Sequence, residues 1–307
     1  MYKKMEKFVI LCVLLCVVTG NGSAQEQKPT PLVIWHGMGD TCCFPFSMGR
    51  IKELVEQRIP GIYVRSLMIG ANIIADEEHG YLGNVNDHVA QVCDKVANDP
   101  ELQGGYHAMG FSQGGQFLRA VAQRCPHPPV KSLISIGGQH QGVFGLPSCP
   151  ASATQSRTCE YIRKLLDYGA YNSWIQSGLV QAQYWHDPLH VEEYRNKSIF
   201  LADINNEKVI NEAYRTNLKK LETFVMVKFL TDTMVVPQES EWFGFYAPGQ
   251  DNEVLPLQQT QLYLEDRLGL KEMDGAGKLH FLTQPGGHLA FTDEWFLQEI
   301  VDKYIAV

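Results

Sequence analysis

The chain has 307 residues, of which 45% are hydrophobic and 20% charged, and its formal charge is -8. That length can bury one large core, and the acidic balance argues against a protein that tracks nucleic-acid phosphates. No internal repeat or long low-complexity tract divides it.

Lys3, Lys4 and Lys7 precede an uncharged apolar run from Phe8 to Val18, and Gly22-Ser23-Ala24 follows with small residues. Residues 1–24 therefore read as a cleaved secretory leader. The run is shorter than the ~20 apolar residues of a membrane span, and no later segment is apolar enough for one. Eight cysteines become six once Cys12 and Cys16 leave with the leader. An even number on an oxidising route implies disulfides, with 15 possible pairings. No C-x-x-C pair stands among them, so no metal is expected. Asn196-Lys197-Ser198 is the one glycosylation sequon beyond the leader.

Short apolar runs then alternate with helical patterns, which predicts an α/β fold: a mainly parallel sheet flanked by helices. Strands are expected at Pro31–Trp35, Gly61–Leu67, Tyr106–Gly110, Val130–Ile136, Phe224–Phe229 and Leu279–Thr283. Helices are expected near Met48–Arg58, over Asn84–Asn98 from the spacing of Val85, Val89, Val92 and Val96, and over Gln113–Arg124. Thr292 is an N-cap for a last helix. Between residues 137 and 221 the alternation loosens into Gly-rich turns and helical pieces, with one strand-like run at Ile199–Ala202. This segment reads as a largely helical insertion within a single domain spanning 25–307.

Gly110-Phe111-Ser112-Gln113-Gly114 is a G-x-S-x-G motif, weak by itself in a chain with 27 glycines. Its setting strengthens it: an apolar strand leads in and an amphipathic helix begins at the next residue. That is the nucleophile elbow of an α/β-hydrolase. A serine hydroxyl needs a base to become a nucleophile. Chain order in this fold runs nucleophile, acid, histidine. Of ten histidines, His288 alone sits in a Gly-rich loop after the last strand. Two aspartates end strand-like runs, Asp203 and Asp232. Asp232 is preferred, because its strand immediately precedes the one that delivers His288. Its role is to fix the imidazole tautomer. The oxyanion donors are expected to be the backbone N–H groups of Gln113 and of Met38, or Gly37, in the loop after the first strand.

Such a triad transfers an acyl group to water and needs no cofactor. A thioester suits it, since a thiol of pKa ~8.5 leaves with little proton donation. An oxygen ester, cleaved by a lipase or carboxylesterase, remains open, as does a non-catalytic acyl-binding protein of this fold. Leu179, Val180, Tyr184 and Trp185 are candidates for one wall of an apolar groove.

Longer tracts narrow the choice. Trp35-His36-Gly37-Met38-Gly39-Asp40, Cys42-Cys43, Met109 to Arg119, Gly138 to Pro147 and Glu241-Trp-Phe-Gly-Phe-Tyr246 resemble the palmitoyl-protein thioesterase family. These are lysosomal enzymes that remove long-chain fatty acyl groups from cysteines of S-acylated proteins. The resemblance covers nearly all of the chain beyond the leader. It implies nucleophile Ser112, acid Asp232, base His288 and oxyanion donors Met38 and Gln113. It further implies an acyl groove beside the insertion and disulfides Cys42–Cys43, Cys93–Cys125 and Cys149–Cys159. The expected substrates are S-palmitoylated proteins and acyl thioesters such as palmitoyl-CoA, met in the lysosome after passage through the secretory pathway.

Overall fold

A computed structural model describes residues 28–145, 160–162, 164–166 and 168–307. The expected leader and the Cys149–Cys159 pair lie outside the described residues. Six strands form one sheet: β1 (Leu32–Trp35), β2 (Val64–Ser66), β3 (Tyr106–Phe111), β4 (Val130–Ile136), β5 (Thr223–Phe229) and, last in the chain, Leu279–Gln284. The order is β2-β1-β3-β4-β5 and then the last strand, every neighbouring pair being parallel. The chain leaves β1 toward β2 and returns to β1's other side as β3. Crevices at such a reversal, outside the carboxyl ends of the strands, are where ligands bind in open α/β sheets.

Strand residues alternate between two cores, one on each face. Val33, Trp35, Tyr106, Ala108, Phe224 and Met226 join the larger core, which is covered by α3 (Val85–Ala97), α4 (Gln113–Arg124) and the helix Glu212–Lys219. Leu32, Ile34, Met109, Phe111, Val225 and Val227 pack on the other face under α1 (Met48–Arg58) and the C-terminal helical stretch from Phe296. Each large apolar side chain taken from water stabilises by roughly 1.5–3 kcal/mol, so both faces tie the sheet to its helices. α4 is buried on all sides, every residue from Gln113 to Gln123 being enclosed. Cys93 on α3 is bonded to Cys125 at the end of α4, and Cys42 is bonded to its neighbour Cys43.

Several expectations are revised. The run Ile199–Ala202 is not a strand: the chain turns there and Leu201–Ile204 is a short helix. The Ser198 hydroxyl accepts the Ala202 N–H, and Phe200, Leu201 and Ile204 enter the main core, so the apolar run is spent on a helical turn. The second strand is shorter than Gly61–Leu67, because the Ile62 N–H bonds back to Ile59 in a turn. Glu212–Lys219, inside the segment read as an insertion, lies against α4, where Asn217 Nδ2 donates to Gln123 O at 2.9 Å. The helix α2 (Ile73–His79), capped by Asn72, and a small hairpin of Phe245–Tyr246 and Val254–Leu255 were not foreseen.

Within the segment between β4 and β5, Ile162, Leu166, Ala170, Ile175, Leu179 and Ala182 form a small separate core. A Leu82–Leu179 bridge and the Val180 N–H to Tyr81 O bond fasten it beside the end of α2. No described helix is long and apolar enough to cross a membrane.

Candidate active site

Ser112 stands between β3 and α4 with φ 53° and ψ -127°, a backbone region that costs a non-glycine residue strain. The turn is tight because its glycines let three backbones meet. A Cβ on Gly110 would lie 2.3 Å from Gly114 C, and one on Gly114 would lie 2.3 Å from Trp35 O. The Ser112 N–H donates to Ile136 O and its own carbonyl accepts the Gly115 N–H. The hydroxyl is left pointing out of the turn. His288 Nε2 is 2.9 Å from Ser112 Oγ, and His288 Nδ1 is 2.5 Å from Asp232 Oδ2.

Asp232 Oδ1 accepts the N–H groups of Met234 and Val235 at 2.6 and 3.0 Å. Its side chain is wholly enclosed. Burial pushes this carboxyl up, but the hydrogen bonds from His288 and Glu241, the His288 charge and the backbone N–H of Val235 together hold it below the ordinary value. It is thus an anion aimed at the imidazole N–H. The loops carrying the acid and the histidine are tied by the Thr231 N–H to Gly286 O bond.

The expected oxyanion donors flank the serine. The Gln113 N–H opens α4, where the helix leaves its first N–H groups unpaired and the dipole is positive. Met38 and Gly37 line the same cavity, and Gly37 packs against Ser112. Among the described residues neither the Met38 nor the Gln113 N–H has a partner. The loop is held from behind by His36. Its Nδ1 lies 2.8 Å from Gly37 O and its Nε2 lies 3.1 Å from Asp76 Oδ1. Asp76, buried on α2, also accepts the N–H groups of Cys42 and Ile69. The Gln113 side chain donates to Gly80 O and accepts the Tyr184 hydroxyl, and Gln181 donates to the same Gly80 O. Gln181 also contacts Met38 Sδ, so the segment between β4 and β5 touches both the turn at Ser112 and the loop after β1.

Asp203 lies apart from this group. Its carboxylate binds Arg124 and the Tyr214 hydroxyl. The competing histidines are engaged elsewhere. His140 bonds Ser135 Oγ and stacks on Phe243, His186 is packed between Tyr194 and Phe245, and His190 pairs with Asp187.

The serine opens into a cavity of about 410 Å³, within the usual size of small-molecule sites. Phe46, Ile51, Ile162, Leu166, Leu289 and Phe291 are among its walls. Tyr184 and Trp185 also line it, whereas Leu179 and Val180 are enclosed in the cores behind. Sequence reasoning missed Asp76 and Glu241, both buried carboxyl groups. Glu241 is 1% exposed, and one of its oxygens lies within 4.8 Å of oxygen and nitrogen atoms of Asp232 and His288. These three residues are the one described grouping with metal-ligand spacing. In the observed arrangement the imidazole and the Asp232 carboxylate are hydrogen-bonded to each other. Asn196, in the sequon, is exposed near the end of the helix Val191–Lys197.

The family model described as palmitoyl protein thioesterase matches residues 31–288. The chain is 51% identical to palmitoyl-protein thioesterase 1 of Caenorhabditis elegans, covering 98% of this chain and 99% of that protein. It is 39% identical to palmitoyl-protein thioesterase 3 of Dictyostelium discoideum, covering 84% of each. It is also similar to the lysosomal thioesterase PPT2 of Bos taurus, at 28% identity over 81% of this chain and 77% of that one.

Proposed function

The chain belongs to the palmitoyl protein thioesterase family and is a thioester hydrolase, and from that premise we propose that Ser112, His288 and Asp232 are its catalytic triad, acting on long-chain acyl groups of S-acylated proteins. His288 Nε2 takes the Ser112 proton as Oγ bonds to the thioester carbon. Charge on the carbonyl oxygen is met by the Met38 and Gln113 N–H groups. The carbon–sulfur bond breaks, the cysteine sulfur takes the proton from His288 Nε2 and leaves as a thiol, and the acyl group is held on Ser112 as an ester. Water, deprotonated by His288, attacks that ester, and the fatty acid departs as Ser112 recovers its proton. Asp232 keeps Nδ1 protonated and stabilises the imidazolium in both steps.

The observation that carries this reading is the unbroken Ser112–His288–Asp232 hydrogen-bond chain at the floor of a largely apolar cavity. The fatty chain occupies that cavity and the protein part of the substrate remains outside. The leader pattern at 1–24, the disulfides and the exposed Asn196 sequon support a glycosylated protein of the secretory route that reaches the lysosome. Ser112→Ala is expected to abolish hydrolysis of palmitoyl-CoA and of an S-palmitoylated peptide while the protein stays folded. Turnover by Ser112→Ala within tenfold of the wild type would overturn the assignment.

A further inference from the structure

A second buried carboxyl group, that of Glu241, lies beside Asp232. Glu241 sits in the short helical turn Gln238–Trp242, and that turn is clamped where the Ser240 hydroxyl donates to Gly142 O and accepts the Gln141 N–H. One Glu241 oxygen, Oε2, accepts the Phe229 N–H at 2.9 Å. The other, Oε1, is buried with no donor supplied by the described residues. The carboxyl groups of Glu241 and Asp232 are both enclosed, and an oxygen of one lies within 4.8 Å of an oxygen of the other.

Two carboxylate charges this close and away from water disfavour each other, which favours a proton on one of the pair. Asp232 accepts two backbone N–H groups and the imidazole N–H, all of which favour its anion. Glu241 accepts one backbone N–H and has an oxygen to spare. We infer that Glu241 is a positioning residue of the active site: a protonated carboxylic acid whose Oε1–H donates to the Asp232 carboxylate and fixes its orientation toward His288. The inference rests on the triad reading above.

The charged and titratable groups around Glu241 agree with this assignment. Burial, then the hydrogen bond to Asp232, then the Asp232 charge push its carboxyl up to about 10. Lys228 on β5 acts the other way, but it is paired with Glu239. His288 faces Asp232 through Nδ1 and Ser112 through Nε2. The neutral donor also draws charge from Asp232. Removing it leaves a stronger anion beside His288, favours the imidazolium and moves the acid limb of activity to higher pH.

Two substitutions separate positioning from packing. Glu241→Gln keeps an acceptor for Phe229 N–H and a donor for Asp232, so kcat is expected to fall no more than several-fold, with the acid limb in place. Glu241→Leu keeps the volume and loses both bonds, so kcat is expected to fall at least tenfold with KM within about twofold. Its acid limb is expected to shift upward. Infrared difference spectra between the wild type and Glu241→Gln at pH 7 add a readout that needs no turnover and no stable leucine variant. They are expected to show a protonated carboxylic acid in the wild type that the glutamine protein lacks. A carboxylate band there instead, or a leucine enzyme with the wild-type pH profile, overturns the inference. Failure of the triad reading looks different: a serine-reactive fluorophosphonate would leave Ser112 of the wild type unlabelled.

Discussion

At the scale of single residues, the hydrogen-bonded group Ser112, His288 and Asp232 could be read from the sequence, but the residues packed behind it could not. Ser112 is marked by its glycines, His288 by a Gly-rich loop after a strand, and Asp232 by chain order. Asp76 and Glu241 carry no such mark, because a carboxyl group reads as a surface residue until the fold buries it. His36 shows what is lost. Both of its ring nitrogens face oxygen acceptors, Gly37 O and Asp76 Oδ1, an arrangement that favours the doubly protonated ring paired with Asp76. Burial pulls the His36 pKa down, but the Asp76 hydrogen bond and charge with the Gly37 carbonyl outweigh it, leaving it above 6.5. Burial likewise pushes Asp76 up, yet the His36 bond and charge and two backbone N–H groups leave it below 3.8. A raised histidine stabilises fully below its unfolded value and loses that contribution as pH climbs through the folded one. A lowered aspartate stabilises fully above its unfolded value and loses it as pH falls through the folded one. The pair is therefore complete between the two ordinary values, 3.8 and 6.5. Asp76→Asn strands a buried cation and is expected to cost about 3–5 kcal/mol by urea unfolding near pH 5. The gap to the wild type is expected to narrow at alkaline pH. A gap constant from pH 5 to pH 9 would mean that His36 is neutral.

At the scale of elements, what the sequence showed was whatever apolar periodicity writes. Buried parallel strands are runs of Val, Ile and Leu, and α3 shows its valines at helical spacing. Helix α2 was invisible for the same reason: its sequence is IIADEEH, and its one buried residue is Asp76. An element held by an acid and a histidine has no apolar face to detect. The run Ile199–Ala202 misled in the opposite direction, since β-branched and aromatic residues can also cover a core from a turn and a short helix. The elbow itself depends on close approach of α4 to β1 and β3. Gly114→Ala puts a methyl 2.3 Å from the Trp35 carbonyl and 2.6 Å from that of His36, backbone atoms that have nowhere to move. It is expected to destabilise by more than about 3 kcal/mol, at the overpacked extreme, and to suppress labelling of Ser112 by a fluorophosphonate. Gly178→Ala is the matched control. It ends a helix of the insertion and meets nothing within 4 Å, so it is expected to be neutral or to stabilise by up to about 1 kcal/mol. Thermal melts of the two proteins decide the point, and equal melting temperatures would remove close packing as the reason for the motif's glycines.

At the scale of the whole molecule, the cavity belongs to no single element. Its floor is the ends of β1 and β3 with the His288 loop. One wall is Phe46, Ile51 and Phe291, and the other comes from the insertion through Ile162, Leu166, Tyr184 and Trp185. This explains why the Ser112–His288–Asp232 grouping was more legible in the sequence than the cavity walls. Ser112, Asp232 and His288 follow strands in the chain order expected of a triad, whereas the walls are apolar residues that look the same whether they face a ligand or their own core. Leu179 and Val180 face cores, and Tyr184 and Trp185, close by in the chain, face the cavity. If the insertion wall measures the acyl chain, filling it must penalise long substrates and spare short ones. Leu166 belongs to the small core of Ile162 to Ala182 and also borders the cavity, so Leu166→Trp extends an indole into the space that the distal methylenes would then occupy. Each CH₂ moved out of water contributes about 0.8 kcal/mol, so excluding three of them costs about 2.4 kcal/mol, on the order of 50-fold in kcat/KM. Palmitoyl-CoA hydrolysis is expected to fall by that factor, and butyryl-CoA hydrolysis to change less than threefold, because a four-carbon chain stays near Ser112. Measured side by side on one preparation, the ratio of the two rates cancels any partial loss of folded protein. An unchanged ratio would place the fatty chain along the Phe46–Phe291 wall instead.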